Sequence, residues 1–73
     1  MPSKKDYIKG RLEVKAIRRT QMGNSDMYID EGSLGYVLGT REGHSLVFWP
    51  HKHWRDAVGS HADADLQATG RRG

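Results

Sequence analysis

Gly32-Ser33-Leu34-Gly35-Tyr36-Val37-Leu38-Gly39-Thr40 and Leu46-Val47-Phe48-Trp49-Pro50, separated by the short link Arg41-Glu42-Gly43-His44-Ser45, decide the fold of this chain. Both runs are short, apolar and rich in β-branched and aromatic residues, and the link between them contains a glycine. That pattern predicts two strands, about 34–40 and 45–49, joined by a tight turn. Pro50 closes the second strand because proline has no N–H to give to a ladder. In a chain of 73 residues, such a hairpin points to a small barrel or sandwich. Gly32, Gly35, Gly39 and Gly43 are read as turn and bend positions. They do not form a phosphate loop, since no Lys-Ser/Thr pair follows them and no helix begins there.

On the N-terminal side, Arg11-Leu12-Glu13-Val14-Lys15-Ala16 alternates charged and apolar residues. A period of two places Leu12, Val14 and Ala16 on one face and predicts a first strand over about 9–19. Ile17 breaks the phase, as at a bulge or a change of face. Residues 20–28 read as a polar loop with turn formers at Gly23, Asn24 and Ser25, Ile29 as an apolar anchor, and Asp30-Glu31-Gly32-Ser33 as a second turn. On the C-terminal side Trp54, Ala57 and Val58 fit either helical spacing or a short strand. We read 54–58 as a strand and 62–67 as a helical turn anchored by Leu66, with Ser60 and Asp63 spaced as a cap. Residues 1–8 are expected to be a flexible arm and 69–73 a disordered tail, leaving one folded unit over 9–68.

The succession of a long strand, a polar loop, a Gly-x-x-Gly-x-Val element, a tight hairpin, a further strand and a terminal helical turn resembles the SH3-like barrel superfamily. The residues that carry it are Gly32, Gly35 and Val37, then Leu46-Val47-Phe48-Trp49, then Val58 and Leu66. The resemblance implies an all-β, five-stranded barrel in which Val37 points inward. The chain departs from the peptide-binding SH3 domains of signalling proteins. It has no acidic loop with paired aromatics, and Phe48-Trp49 runs into Pro50, so recognition of proline-rich peptides is not implied. The superfamily includes nucleic-acid binders, ribosomal parts, enzyme subunits and adaptors, so the fold alone does not choose a function.

A domain of this size buries about 60% of the surface of its unfolded chain. Its core supplies on the order of 3–5 kcal/mol. The chain has no cysteine, so neither disulfides nor thiolate-bound metal can staple it, and oligomerisation is the usual remaining remedy. The absence of any long apolar run, and a polar N-terminus, lead us to expect a cytoplasmic protein with no membrane partner.

Charge is unevenly spread. Residues 1–19 hold seven cations against Asp6 and Glu13, residues 20–68 hold three cations against seven acids, and residues 69–73 add two arginines. Lys9, Arg11, Lys15, Arg18 and Arg19, with Lys4 and Lys5 in the arm, are therefore candidates for tracking a phosphate backbone, with Tyr36 or Trp49 available to stack on bases. The acidic centre of the chain argues against a surface built throughout for nucleic acid.

The two central strands carry apolar side chains on both faces. Leu46 and Phe48 oppose Val47 and Trp49; Leu34, Tyr36 and Leu38 oppose Val37. One set must be covered by the rest of the chain or offered to a partner. The second reading makes Tyr36, Phe48, Trp49 and Trp54 a binding surface, since aromatic residues dominate interface energetics. The first has the 20–28 loop and the C-terminal segment fold over it.

His51 and His53 lie on one side of an extended segment, and His61, Asp63 and Asp65 follow at alternating positions. These are weak metal candidates, because two ligands at i and i+2 are common and Lys52 and Arg55 bring positive charge. No nucleophile pairs recognisably with a histidine, so no catalytic residue and no cofactor are assigned. The expectation is a non-enzymatic interaction module binding a protein partner or itself. The alternatives are a nucleic-acid-binding barrel and a small enzyme whose site forms only at an oligomer interface, as in SH3-like barrels that build a central pore from four subunits.

Overall fold

The computed structural model describes residues 3–22, 27–53 and 56–73. In chain order they form α1 (Lys4–Ile8), β1 (Leu12–Ala16), β2 (Thr20–Gln21), β3 (Tyr28–Ile29), β4 (Leu34–Arg41), β5 (His44–Phe48), β6 (Val58–Ala62), a 3-10 turn (Asp63–Asp65) and β7 (Leu66–Arg72). The protein is mostly β. Five strands make one antiparallel sheet in the order β6-β5-β4-β1-β7, and β2 and β3 form a separate two-stranded ribbon. No helix among the described residues is long and apolar enough to cross a membrane.

The central hairpin is where the alternation puts it. Arg41 pairs with His44 across a two-residue turn. Both turn residues have positive φ, 39° at Glu42 and 82° at Gly43, as the type I′ turn that matches strand twist requires. Val37 pairs with Val47 and Gly39 with Leu46. Leu38 is thus an extra residue, a bulge that bends β4.

Paired residues share a face of the sheet. Val14, Gly35 and Val47 lie on the inner face, with Ala16 and Trp49. Met22 and Ile29 from the ribbon close over them, and Met27, Val37 and Leu66 pack at the margin. Gly35 is required at its place. A Cβ there would stand 2.6 Å from both Trp49 Cε3 and Val47 Cγ1, well inside van der Waals contact. The outer face carries a transverse row in register, Val58 beside Phe48, Phe48 beside Tyr36, and Tyr36 beside Glu13.

The two ends of the chain differ from expectation. In place of an arm, α1 lies on the outer face. Tyr7 stacks on Phe48 with ring centroids 5.8 Å apart, and Lys4 Nζ donates to the carbonyls of Pro50 (2.9 Å) and Lys52 (2.8 Å). In place of a disordered tail, residues 66–72 form β7 against β1. Gly73 continues that contact, donating to the Arg11 carbonyl and accepting from the Gly10 N–H, each at 2.9 Å. Of the strand expected at 54–58, residues 54 and 55 lie outside the described residues, and β6 starts at Val58; the helical turn expected at 62–67 shrinks to Asp63–Asp65. Beyond Asp65, pairing of Leu66, Gln67 and Ala68 with β1 supplies backbone hydrogen bonds that a continued lone helical turn could not match.

Candidate interaction surface

The four aromatic residues expected to meet a partner are not brought together at the surface. Trp49 is 0% exposed and Phe48 1% exposed. Trp49 belongs to the inner core, and Phe48 lies beneath Tyr7 on the opposite face. Neither is available to a partner, and the expectation is corrected for both. The reason is that a covering element exists for each face, the ribbon for one and α1 for the other. Tyr36 is half-buried. Trp54 lies outside the described residues.

Tyr36 is engaged within the sheet. Its hydroxyl donates to Glu13 Oε2 at 3.0 Å, and Thr69 Oγ1 donates to Glu13 Oε1 at 2.7 Å. The Thr69 hydrogen bond is the main influence holding the Glu13 carboxyl below its ordinary value; burial opposes it, while Tyr36 and the nearby Arg71 charge add to it. Burial, then the bond to Glu13, pushes the Tyr36 phenol up. These three side chains tie β4, β1 and β7 together across the outer face.

The apolar residues left at the outer surface are different ones. Leu46 is 42% exposed and Val58 46% exposed. They sit on neighbouring strands, with Leu46 opposite Ser60. Beside them opens a groove of about 720 Å³ lined by Gly39, Thr40, Arg41, Glu42, His44, Leu46 and Ser60. Sequence reasoning missed Leu46 and Val58 as surface residues because Leu46 alternates in phase with Phe48, which is covered. The cover extends over Phe48 and stops short of them.

The basic residues Lys9, Arg11, Lys15, Arg18 and Arg19 do not form one stripe. Lys15 stands in mid-strand opposite Leu34 and Gln67. Arg18 pairs with Asp65 at 3.3 Å, and Arg19 lies over the Tyr28 ring at 4.3 Å. Arg11 donates to the carbonyls of Tyr7 (2.9 Å) and Leu38 (3.2 Å). What the sequence did not disclose is that β7 carries the last two arginines back to the start of β1. Leu12 pairs with Arg72, and Arg72 donates to the Gly10 carbonyl at 3.1 Å. Lys9, Arg11, Arg71 and Arg72 therefore gather at one end of the sheet; Arg11 and Arg72 donate to backbone carbonyls, which leave their charge unneutralised, while the Arg71 charge acts on the Glu13 carboxylate.

The histidines are separated. His51 stands edge-on to Trp49, 6.2 Å between ring centroids; partial burial, then the neighbouring Lys52 charge, lowers its pKa. His61 is 2% exposed and lies in a chain of hydrogen bonds through the core. Trp49 Nε1 donates to His61 Nε2 at 3.1 Å, His61 Nδ1 meets Thr20 Oγ1 at 3.2 Å, and Thr20 Oγ1 donates to Asp65 Oδ2 at 3.2 Å. An indole N–H only donates, so Nε2 is the bare nitrogen and Nδ1 carries the proton. Both ring nitrogens are thus occupied, which removes His61 from the weak metal set of His51, His53 and His61. Among the described residues no three His, Cys, Asp or Glu side chains stand close enough to hold a metal ion. Nor does this chain activate Thr20. Its hydroxyl gives its proton to Asp65, and the imidazole nitrogen facing it already bears one.

Comparison with protein-family models, with curated proteins and with solved structures finds no match to this chain.

Proposed function

We propose that this protein is a small, non-enzymatic, SH3-like interaction module that binds a protein partner or itself. The observation that carries the reading is the exposed apolar pair Leu46 and Val58 beside an open groove. Among the other large apolar side chains of the central strands, Leu34 is comparably exposed, while Tyr36, Val37, Leu38, Val47 and Phe48 are covered to a greater degree. Uncovered apolar area next to a concavity is a common mark of a docking surface. The test is sedimentation of the chain across a dilution series, together with pull-down from lysate in nuclease-treated and untreated halves. The reading expects a mass above 8.3 kDa, or a nuclease-resistant protein partner, in either case lost when Leu46 and Val58 are both changed to Lys. A clean monomer with no nuclease-resistant partner sinks it.

The gathering of Lys9, Arg11, Arg71 and Arg72 favours a second reading, a nucleic-acid binder that uses this end of the sheet. Its affinity for mixed-sequence DNA or RNA would fall steeply with salt. Absence of binding at low salt would remove it.

A further inference from the structure

Among the described residues, the order β6-β5-β4-β1-β7 leaves two strands with a free side. They are not equivalent. β7 carries Arg71 and Arg72, and Gly70, at φ 85°, sits where its register with β1 shifts. Charges and bulges of this kind are what natural sheets use to block pairing at an edge. β6, Val58-Gly59-Ser60-His61-Ala62, has no charged residue and no proline, and its register with β5 is unbroken from Phe48 opposite Val58 to His44 opposite Ala62. Its one titratable residue, His61, points into the core.

The hydrogen-bond phase of β6 follows from its neighbours. Trp49 N–H donates to the Ala57 carbonyl at 2.7 Å, and Asp63 N–H to the Gly43 carbonyl at 2.8 Å. In an antiparallel ladder bonded and non-bonded pairs alternate. The bonded pairs are therefore Trp49 with Ala57, Val47 with Gly59 and Ser45 with His61. Val58, Ser60 and Ala62 turn their N–H and C=O groups away from β5, and among the described residues nothing takes them. The same three residues project their side chains to the outer face, beside Leu46.

We propose that β6 pairs antiparallel with β6 of a second copy of this chain, about a two-fold axis at Ser60. In that register Ser60 faces Ser60 of the second copy, and Val58 faces Ala62. Each free N–H and C=O then finds a partner in phase. The exposed Val58 and Leu46 of both copies line up on one continuous face. The edge is self-complementary, which selects the second copy as occupant: within Val58–Ala62 two β6 strands meet in phase without like charges, whereas two β7 edges would bring arginines together. The inference rests on the interaction-module reading and names its partner.

The test uses the intact chain. Sedimentation across a dilution series is expected to show the 8.3 kDa species doubling in mass as concentration rises. Amide exchange at Val58, Ser60 and Ala62 slows over the same range, while the amides of Gly59 and His61, already bonded to β5, change little. Ser60→Lys places like charges at the axis and weakens the dimer by on the order of tenfold or more. Gln67→Lys, on β7, leaves it intact. Ser60→Cys introduces the only thiol, and oxidation at high concentration yields a covalent dimer. A chain that stays monomeric with fast exchange at those three amides overturns the inference and leaves a different protein partner open. A dimer undiminished by Ser60→Lys also overturns it, and places self-association on another surface.

Discussion

Trp49 and His61 fix each other's chemistry. The indole N–H, 3.1 Å from Nε2, requires that nitrogen to be bare, so the imidazole is neutral with its proton on Nδ1. Burial lowers the His61 pKa from its ordinary 6.5, opposed only in part by the charge of Asp65.

The first prediction concerns acid. In the unfolded chain His61 takes up a proton near 6.5, while in the folded chain it resists until lower pH. Between these values the unfolded state binds more protons, so stability falls as pH drops. His51, also lowered, adds an effect of the same sign. Glu13, held below 4.5, stabilises above its unfolded pKa, and that contribution is lost only in stronger acid. Thermal stability is therefore expected to fall as the pH drops from about 7 to 5. In His61→Phe the slope shrinks, and overall stability drops by roughly 1–3 kcal/mol because the Trp49 N–H is left buried and unpaired. A pH profile unchanged by His61→Phe would count against this account.

Gly35 leads to a second prediction. Any side chain there meets Trp49 and Val47, so Gly35→Ala overpacks the core and costs about 1–3 kcal/mol. Gly39, on the same strand, faces open space, and Gly39→Ala serves as the tolerated comparison in urea titration.

The hairpin turn leads to a third. Glu42 holds φ at 39°, a left-handed geometry that costs an ordinary residue roughly 1–2 kcal/mol. Glu42→Asn creates the Asn-Gly pair favoured in type I′ turns. A gain of about 1 kcal/mol would raise the melting temperature by roughly 4–8 °C in a domain of this size. No change would show that the turn is strained less than its dihedral implies.

α1 supplies the fourth. Tyr7→Ala removes the ring over Phe48 and the aromatic pair worth about 0.5–1.5 kcal/mol. It also uncovers an otherwise buried phenylalanine. The expected signs are a lower urea midpoint and stronger binding of a hydrophobic dye, both absent in Lys5→Ala.

The central hairpin was readable because its residues interact with near neighbours. Leu46, Val47, Phe48 and Trp49 alternate over a short distance, and Arg41 to Ser45 has turn composition. β1 was readable in part: Val14 and Ala16 alternate into the core, but Leu12 is exposed, Glu13 is buried under the bonds from Tyr36 and Thr69, and the strand spans Leu12–Ala16 in place of 9–19. β7 was not, because Gln67-Ala68-Thr69-Gly70-Arg71-Arg72 has no apolar alternation. Its strand conformation comes from the β1 backbone and from Leu66 in the core. α1 has a single aromatic residue, Tyr7, whose role depends on Phe48 far along the chain. The same holds for the candidate surface. That both faces of the hairpin are apolar was visible in the sequence; which parts remain uncovered depends on where α1 and the ribbon come to rest. His61 read as one of several surface histidines because its partners, Thr20 and Trp49, lie 41 and 12 positions away.

The pairing of β1 with β7 also bears on how the fold is reached. Thr69 and Glu13 meet across 56 positions, so β1 is formed early along the chain but gains its second neighbour only when the far end of the sequence returns to it. Closing so wide a loop costs entropy before any contact repays it, and contacts of this span slow folding. Until that closure, one flank of the first strand stands bare, and β4 alone holds it in the sheet.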